Sequence, residues 1–478
     1  MEKIITKYFT VLLIAIGLVA CVVRAYHITY PVADWHSWRQ ADTAAVARNF
    51  LRFGVNPLYP RYDDLSNIQS GKDNPMGWRM VEFPIYQAAG AWLKEVVGRV
   101  SIEVWLRILT IAASAGTVVL LGSLVAQRID PLTGLLTSIL FAILPYNVYY
   151  GRTILPDPQM VWWSVLSIWL LTRGKDIRWT VLAGIAAALA LLSKPMAAFL
   201  LIPIPYIIYK QSGFSKNSFI RLVAYSMISV LPLFLWRRWI LQFPEGIPVN
   251  TWLLNGNGIR FKGAWFHWLF AQRLGDLILG FWGLIPFGLG LAMAPGKKEG
   301  WIFRWLGFGT LLYLIVFATG NVQHDYYQIL IVPVVAVYTA KGLAYLFRMK
   351  TSGIIVALVS IAAMIGFSWF TIRTYYWINR PEIIEAGQMA DKILPKDAKV
   401  IASYNGDTTF LYQTQRQGWP LGFDIDKKIA MGATAYVTVS PTDSDGETKD
   451  LANRYTVLVR NDKFAIIDLT KPKKTASK

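Results

Sequence analysis

Long stretches without charge recur along this chain, and they constrain its fold more than any other feature. Tyr8–Val23, Leu132–Tyr150 and Ile354–Phe370 are three of them. Each approaches the roughly 20 residues that take a helix across a bilayer. Lipid offers no partner to backbone N–H and C=O groups, so spanning segments must be helices or parts of a closed barrel. Helices are the expected solution. About eleven segments qualify by length and apolarity. They lie near 8–26, 102–127, 131–149, 158–172, 178–193, 195–209, 219–240, 273–294, 301–319, 327–347 and 353–373. Soluble domains rarely carry this composition, with 54% of 478 residues hydrophobic, 16% charged and 20 tryptophans. No obvious small-residue cleavage site follows the first run, which therefore reads as a retained anchor.

Charge sets the orientation. The formal net charge is +19, which by itself would suit a nucleic-acid partner. Its distribution argues against one. Arg128, then Arg173, Lys175 and Arg178, then Lys210, Lys216 and Arg221, then Lys297, Lys298 and Arg304, then Lys341, Arg348 and Lys350 fall on alternate connections. This is the positive-inside pattern, which makes those connections and the N-terminus cytoplasmic. The opposite connections, near 151–156, 193–194, 242–272 and 320–325, carry fewer basic residues and hold the polar motifs. The partner implied is a lipid bilayer, with no nucleic acid. A single cysteine, Cys21, excludes an intramolecular disulfide and any cysteine-based metal cluster.

The expected architecture is an α-helical polytopic membrane domain over 1–373 and a small soluble α/β domain over 374–478. The membrane part includes a long first outer loop, 27–100, with Trp35, Trp38, Trp78 and Trp92 suited to the headgroup level. Within it, Ala41–Phe53 and Phe83–Val97 read as amphipathic helices lying in the interface. In the C-terminal part, Lys399–Ser403, Ala435–Ser440, Thr456–Val459 and Phe464–Leu469 read as strands. Glu382–Ile393, Thr408–Gln415 and Asp424–Met431 read as helices. The alternation points to an α/β domain, and an odd number of spans places it outside. The tail 471–478 reads as disordered.

The chemistry-bearing residues gather on the outer connections. Asp34, in Asp34-Trp35-His36-Ser37-Trp38-Arg39-Gln40-Ala41-Asp42, follows the first membrane helix. A carboxylate there can take a proton from an attacking hydroxyl or amine; it can equally be an N-cap. Asp42 reads as an ordinary helix or capping residue. Glu82 precedes Pro84, so it is either a first-turn acid or a second carboxylate that positions an acceptor, pairs with a cation or binds a divalent metal. Asp157 stands between Pro156 and Pro158, which hold its backbone out of a regular helix. Arg152 and Lys194 face the same side. Lys194 suits either snorkelling or phosphate binding, and the arginines suit bidentate phosphate contact. His324-Asp325-Tyr326-Tyr327 opens another helix, where the tyrosines fit an aromatic belt and His324 with Asp325 fits a metal or pyranose hydroxyls. No spacing specifies a metal. P-loop and nucleophile-elbow motifs are absent, and an outer-face site argues against a nucleotide donor.

At these residues the chain resembles the GT-C glycosyltransferases, and in particular the family of protein O-mannosyltransferases and lipid A aminoarabinose transferases. Asp34 with Trp38-Arg39 is similar to that family's first-loop motif. Glu82-Phe83-Pro84-Ile85-Tyr86 is similar to its acidic-proline segment, and Gly151-Arg152 through Asp157 to its Arg/Asp stretch. Lys194 stands where the lipid A enzymes have a donor-binding lysine. Two departures stand out. Trp35 replaces the second acid of many relatives' Asp-Glu pair, and Phe83 replaces the lysine of Glu-Lys-Pro. The topological likeness covers about residues 1–350.

The resemblance implies an extracytoplasmic, inverting glycosyltransferase of a bacterial inner membrane. It would move a sugar from a polyprenyl-phosphate donor to a protein, lipid or glycan acceptor. The roles it implies are Asp34, Asp157 and Glu82 as catalytic or acceptor-supporting acids, and Arg39, Arg152 and Lys194 at the donor phosphate. Trp38, His324, Asp325, Tyr326 and Tyr327 would line the donor or acceptor pocket. No cofactor is firmly expected; a divalent cation at Glu82 and His324 stays open. A transporter or flippase of lipid-linked sugars is the competing class, and it predicts broken, polar segments at mid-membrane. A scaffold, with the outer domain as its active part, is the third.

Overall fold

The computed structural model describes residues 2–442 and 446–473; most of the tail expected to be disordered, 474–478, lies outside the described residues. Helices occupy all eleven expected segments, and five of them are long and apolar enough to cross a bilayer. These are Ile4–Arg24, Ile102–Arg128, Lys216–Ile240, Asp325–Arg348 and Thr351–Tyr376. Several of the others are interrupted. The segment expected at 131–149 breaks into Pro131–Ile143 and Pro145–Tyr150. The cause is local: Pro145 has no N–H for the carbonyl four residues back. Arg24, fully buried, donates instead to the carbonyls of Phe141 (2.9 Å), Ala142 (2.8 Å), Asn147 (3.2 Å) and Ala20 (3.1 Å). In 195–209, Pro203 and Pro205 leave only the short helices Ala197–Leu200 and Ile204–Ser212. The 273–294 segment divides at Gly280 and Phe281, both with positive φ.

The chain forms two compact units. The first comprises Met1–Ile28, Arg107–Trp239 and Asn250–Tyr375. Its helices approach closely where side chains are small, as expected when van der Waals packing, rather than water, holds membrane helices together. Leu284–Ala292 lies against Val332–Arg348 with backbones nearly touching. A Cβ on Gly290 would fall 1.8 Å from the Tyr338 carbonyl oxygen, and one on Gly342 1.8 Å from that of Pro286. Beside this approach, between Tyr338 and Gly342, the ammonium of Lys341 pairs with Glu299 at 2.8 Å, both buried.

The second unit comprises Thr29–Leu106, Ile240–Val249 and Tyr376–Lys478. It is built on a five-stranded sheet: β1 (Lys399–Ala402), β2 (Gly418–Trp419), β3 (Ala433–Thr438), β4 (Tyr455–Arg460) and β5 (Ala465–Pro472). The order is β2-β1-β3-β5-β4, with β1 parallel to β2 and β3, and β5 antiparallel to β3 and β4. Side chains alternate between two cores, as the strand period requires. Val400, Val437 and Ile466 face one cluster with Ile383, Ala386 and Phe410. Ile401, Tyr436 and Ile467 face the other with Trp419 and Leu451. Four strands and three helices match the sequence expectation. β2 has only two residues, too few to show a pattern, and helix Glu447–Arg454 was not expected.

The long first loop is part of this second unit, so the structure divides the chain differently from a 1–373 and 374–478 split. Asp64 pairs in parallel with Gly418, which extends the sheet beyond β2. Leu65 N–H donates to the Gly418 carbonyl at 2.8 Å, and Gly418 N–H to that of Asp63 at 2.8 Å. Leu65 enters the second core. Helix Ser37–Phe53 packs on Thr408–Gln413 and is buried from Arg39 to Phe50. It is therefore not an interfacial helix, because protein rather than lipid covers its polar face. Trp78 is likewise buried, packed on Tyr59 and Phe243, and does not lie at a membrane surface.

Candidate active site

In the second unit the first-loop motif is held tightly. Helix Ser37–Phe53 starts after His36, whose φ is +53° and which makes no side-chain cap. Asp34 is thus not the N-cap. Its carboxylate is buried and accepts a hydrogen bond from the Gln40 amide at 2.8 Å. The Arg39 guanidinium donates through one nitrogen to both Glu82 oxygens at 2.9 Å and through the other to the Thr43 hydroxyl at 3.5 Å. The Gln87 amide adds a contact to Glu82 at 3.3 Å. Glu82 does not cap the helix Ile85–Val97, whose N-cap is Pro84 with no side-chain bond. Its carboxylate belongs to Arg39. Trp38 is half-buried, and its carbonyl accepts from the Thr408 hydroxyl at 3.2 Å.

Asp42 is more than a helix residue. It is buried, pairs with Arg79 at 2.9 Å and accepts from Thr408 at 2.7 Å and Gln69 at 3.3 Å. Nearby Asp64 is buried too. Burial first, and then the charge of Asp42, push its carboxyl up to about 6, against hydrogen bonds from Ser66 and the charge of Arg79. Asp407 is also raised, again by burial before anything else.

In the first unit two polar centres form. Asp157 opens helix Asp157–Leu171, and one of its oxygens takes the Lys194 ammonium at 2.8 Å. The other oxygen is buried with no hydrogen-bond partner among the described residues, as are both polar atoms of Gln159, two residues further. Lys194 sits 5.1 Å and 4.9 Å from the Tyr326 and Tyr327 ring centres. It is buried and does not snorkel. His324 stacks on Tyr326 at 5.6 Å and meets Tyr327 and Trp252 edge-on. Asp325 forms the second centre. One oxygen accepts from the Tyr150 hydroxyl at 2.5 Å, the other from the Tyr375 hydroxyl, and its carbonyl accepts from Tyr146 at 2.7 Å. Arg152 is fully buried, with a 3.5 Å bond to the His27 carbonyl and its guanidinium 5.2 Å from the Tyr149 ring.

The structure therefore joins Arg39 with Glu82, and Asp157 with Lys194, Tyr326 and Tyr327. Sequence reasoning missed Gln40, Asp42 with Arg79, Gln159 and the tyrosines around Asp325. The run Tyr146, Tyr149 and Tyr150 and the pair Tyr375-Tyr376 were visible signals for the last of these. Among the described residues no group of three or more His, Cys, Asp or Glu is placed to hold a metal.

The structure of this chain superposes on ArnT from Cupriavidus metallidurans in the apo state with a TM-score of 0.65, at 12% identity, over 97% of this chain and 98% of that one. The fold is GT-C-like. The same enzyme bound to undecaprenyl phosphate gives 0.64, at 10% identity, over 96% and 97%. The archaeal oligosaccharyltransferase AglB from Archaeoglobus fulgidus, in complex with an inhibitory peptide and a dolichol-phosphate, gives 0.58 at 11% identity, over 95% of this chain and 73% of that one. The family model for dolichyl-phosphate-mannose-protein mannosyltransferase matches residues 76–211. Comparison with curated protein sequences returned no match. Within this GT-C-like fold the matched stretch holds Glu82, Arg152, Asp157 and Lys194.

Proposed function

We propose that this protein is a polyprenyl-phosphate-sugar glycosyltransferase, with its site on the extracytoplasmic face of a bacterial inner membrane and an N-terminus inside. The observation that carries the reading is Lys194. It is a buried ammonium with three N–H donors, and Asp157 takes one of them. Two tyrosine rings flank it. Such a group is suited to the oxygens of a lipid phosphate, whose charge grows as the sugar leaves. The fold is shared with an enzyme whose structure contains undecaprenyl phosphate.

In the reaction an acceptor hydroxyl attacks the anomeric carbon of the donor sugar. The new C–O bond forms as the bond to the phosphate oxygen breaks, and the polyprenyl phosphate leaves with the electron pair. Asp34 takes the hydroxyl proton, with Gln40 fixing its orientation. Attack opposite the leaving group inverts the anomeric centre. Lys194 meets the phosphate, and the unpartnered oxygen of Asp157 and the amide of Gln159 face the bound sugar or acceptor. Arg39 and Glu82 hold the first-loop helix in place rather than touching the donor. The acceptor is a protein, a lipid or a cell-surface glycan.

The test is mass spectrometry of polyprenyl-phosphate lipids from cells carrying wild type or Asp34→Asn. One polyprenyl-phosphate sugar should accumulate in the variant, and its head-group mass names the donor sugar. Equal lipid pools, with the variant present in the membrane and its pathway active, would remove Asp34 from the chemistry.

A further inference from the structure

The second unit contains a cavity of about 320 Å³ that the transfer reaction does not use. It is lined by Asn49, Phe53, Asn56, Tyr59, Arg61 and Trp78. That volume lies at the lower end of small-molecule sites, roughly 300–1,000 Å³. Its centre is Arg61. The guanidinium carbon lies 4.7 Å from the Trp78 ring centre and 5.2 Å from that of Phe53. Two aromatic rings therefore hold the side chain by cation–π contact. Its backbone is fixed as well, by an antiparallel bridge from Arg61 to Trp78 and the bond from Asn49 to the Arg61 carbonyl. Gly77 lets the two strands of this ribbon close. Its φ is +65°, and a Cβ there would meet the Tyr62 carbonyl oxygen at 2.7 Å.

No carboxylate and no hydrogen-bond acceptor meets the Arg61 guanidinium among the described residues, although the chain pairs Arg39, Arg48 and Arg79 in the same unit. The guanidinium is only half-buried, so its N–H edge is open to a ligand. A flat, preoriented fork of donors matches two oxygens of one anion. Phe53 and Tyr59, 55% and 38% exposed, offer apolar ring surface beside it. A neutral or purely apolar occupant would leave that cation unanswered, and a bare inorganic anion would leave the rings unused.

We propose that this cavity binds an oxyanion-bearing saccharide, with Arg61 taking a carboxylate or phosphate and the rings taking the C–H face of the sugar. This rests on the transferase reading, and makes the cavity a recognition site for a charged unit of the acceptor. Titration calorimetry on the full, detergent-purified chain tests it with five probes: glucuronic acid, glucose 1-phosphate, methyl glucoside, acetate and inorganic phosphate. The two charged sugars should bind at least tenfold more tightly than methyl glucoside and than acetate and phosphate respectively. The better of the two identifies the anion. Arg61→Gln and Arg61→Lys should each lose tenfold or more, since lysine keeps the charge but not the flat fork. Tyr59→Ala, at an exposed position, should erase the preference for sugar over simple anion. Equal binding of methyl glucoside, or of the bare anions, or full binding by Arg61→Gln, would overturn the proposal. That failure would leave the transferase reading intact if Asp34→Asn still caused the donor lipid to accumulate.

Discussion

Replacing either member of the Arg39–Glu82 pair separates a structural clamp from a donor-phosphate contact. Both side chains are about 95% buried, at 6% and 5% exposure, and the two contacts are 2.9 Å. The Gln87 amide also donates to Glu82, and Arg39 to the Thr43 hydroxyl. Removing one partner breaks a buried, hydrogen-bonded ion pair, which costs about 3–5 kcal/mol. At about 1.4 kcal/mol per tenfold, the folded-to-unfolded ratio should drop by about two to three and a half orders of magnitude in Arg39→Gln or Glu82→Gln. The double variant Arg39→Gln/Glu82→Gln removes both charges of the pair and should recover most of that loss. The assay is denaturant unfolding of the detergent-solubilised protein, followed by tryptophan fluorescence, over the complete double-mutant cycle. Strictly additive single effects would refute the coupling. So would an Arg39→Gln protein with unchanged stability and weakened polyprenyl-phosphate binding, which would return Arg39 to the donor.

Lys194→Ala removes a charged donor from a lipid phosphate, an interaction of about 1.5–3 kcal/mol, so polyprenyl-phosphate affinity should fall by roughly 10- to 150-fold; unchanged affinity would reduce Lys194 to a partner of Asp157. Asp64 predicts a pH effect. Its carboxyl is raised from 3.8 to about 6 by burial first, so the folded state holds the proton more tightly than the unfolded one. That contribution is fully present below about pH 4 and is lost as pH rises towards and through 6. At 1.36 kcal/mol per pH unit the loss is about 3 kcal/mol. Asp64→Asn keeps the oxygen that accepts from Ser66 N–H. It should flatten stability between pH 4 and 6.5 and raise it at pH 7.5; parallel pH profiles for variant and wild type would count against the buried-carboxylate account.

What could be read in advance was periodic or compositional. Uncharged runs near the thickness of a bilayer declare membrane helices whatever they pack against, and alternating apolar residues declared four of the five strands. Helix Glu382–Ile393 was legible because its buried face, Ile383, Ala386, Gly387 and Ala390, repeats at helical spacing within one short stretch. The polar residues that matter were legible as residue types and order: Asp34, Glu82, Asp157, Lys194 and Asp325 stand out because charge in apolar surroundings is costly.

Their partnerships were not legible, because they join residues far apart in the chain. Whether Glu82 capped a helix, held a metal or answered a cation depended on Arg39, 43 positions away. Lys194 was open between snorkelling and phosphate until Asp157 was placed beside it. Helix Ser37–Phe53 looked interfacial because its amphipathic pattern states only that one face needs cover, without stating that Thr408–Gln413 supplies it. The same holds for the first loop: its extension of the sheet through Asp64 and Gly418 rests on backbone hydrogen bonds, which every residue can make. The chain alone thus determined a helical membrane protein with charged residues gathered on its connections. Only the tertiary structure decided which charges neutralise one another and which, like Arg61, are left facing a cavity, because burial strands a charge or satisfies it according to neighbours that local sequence does not name.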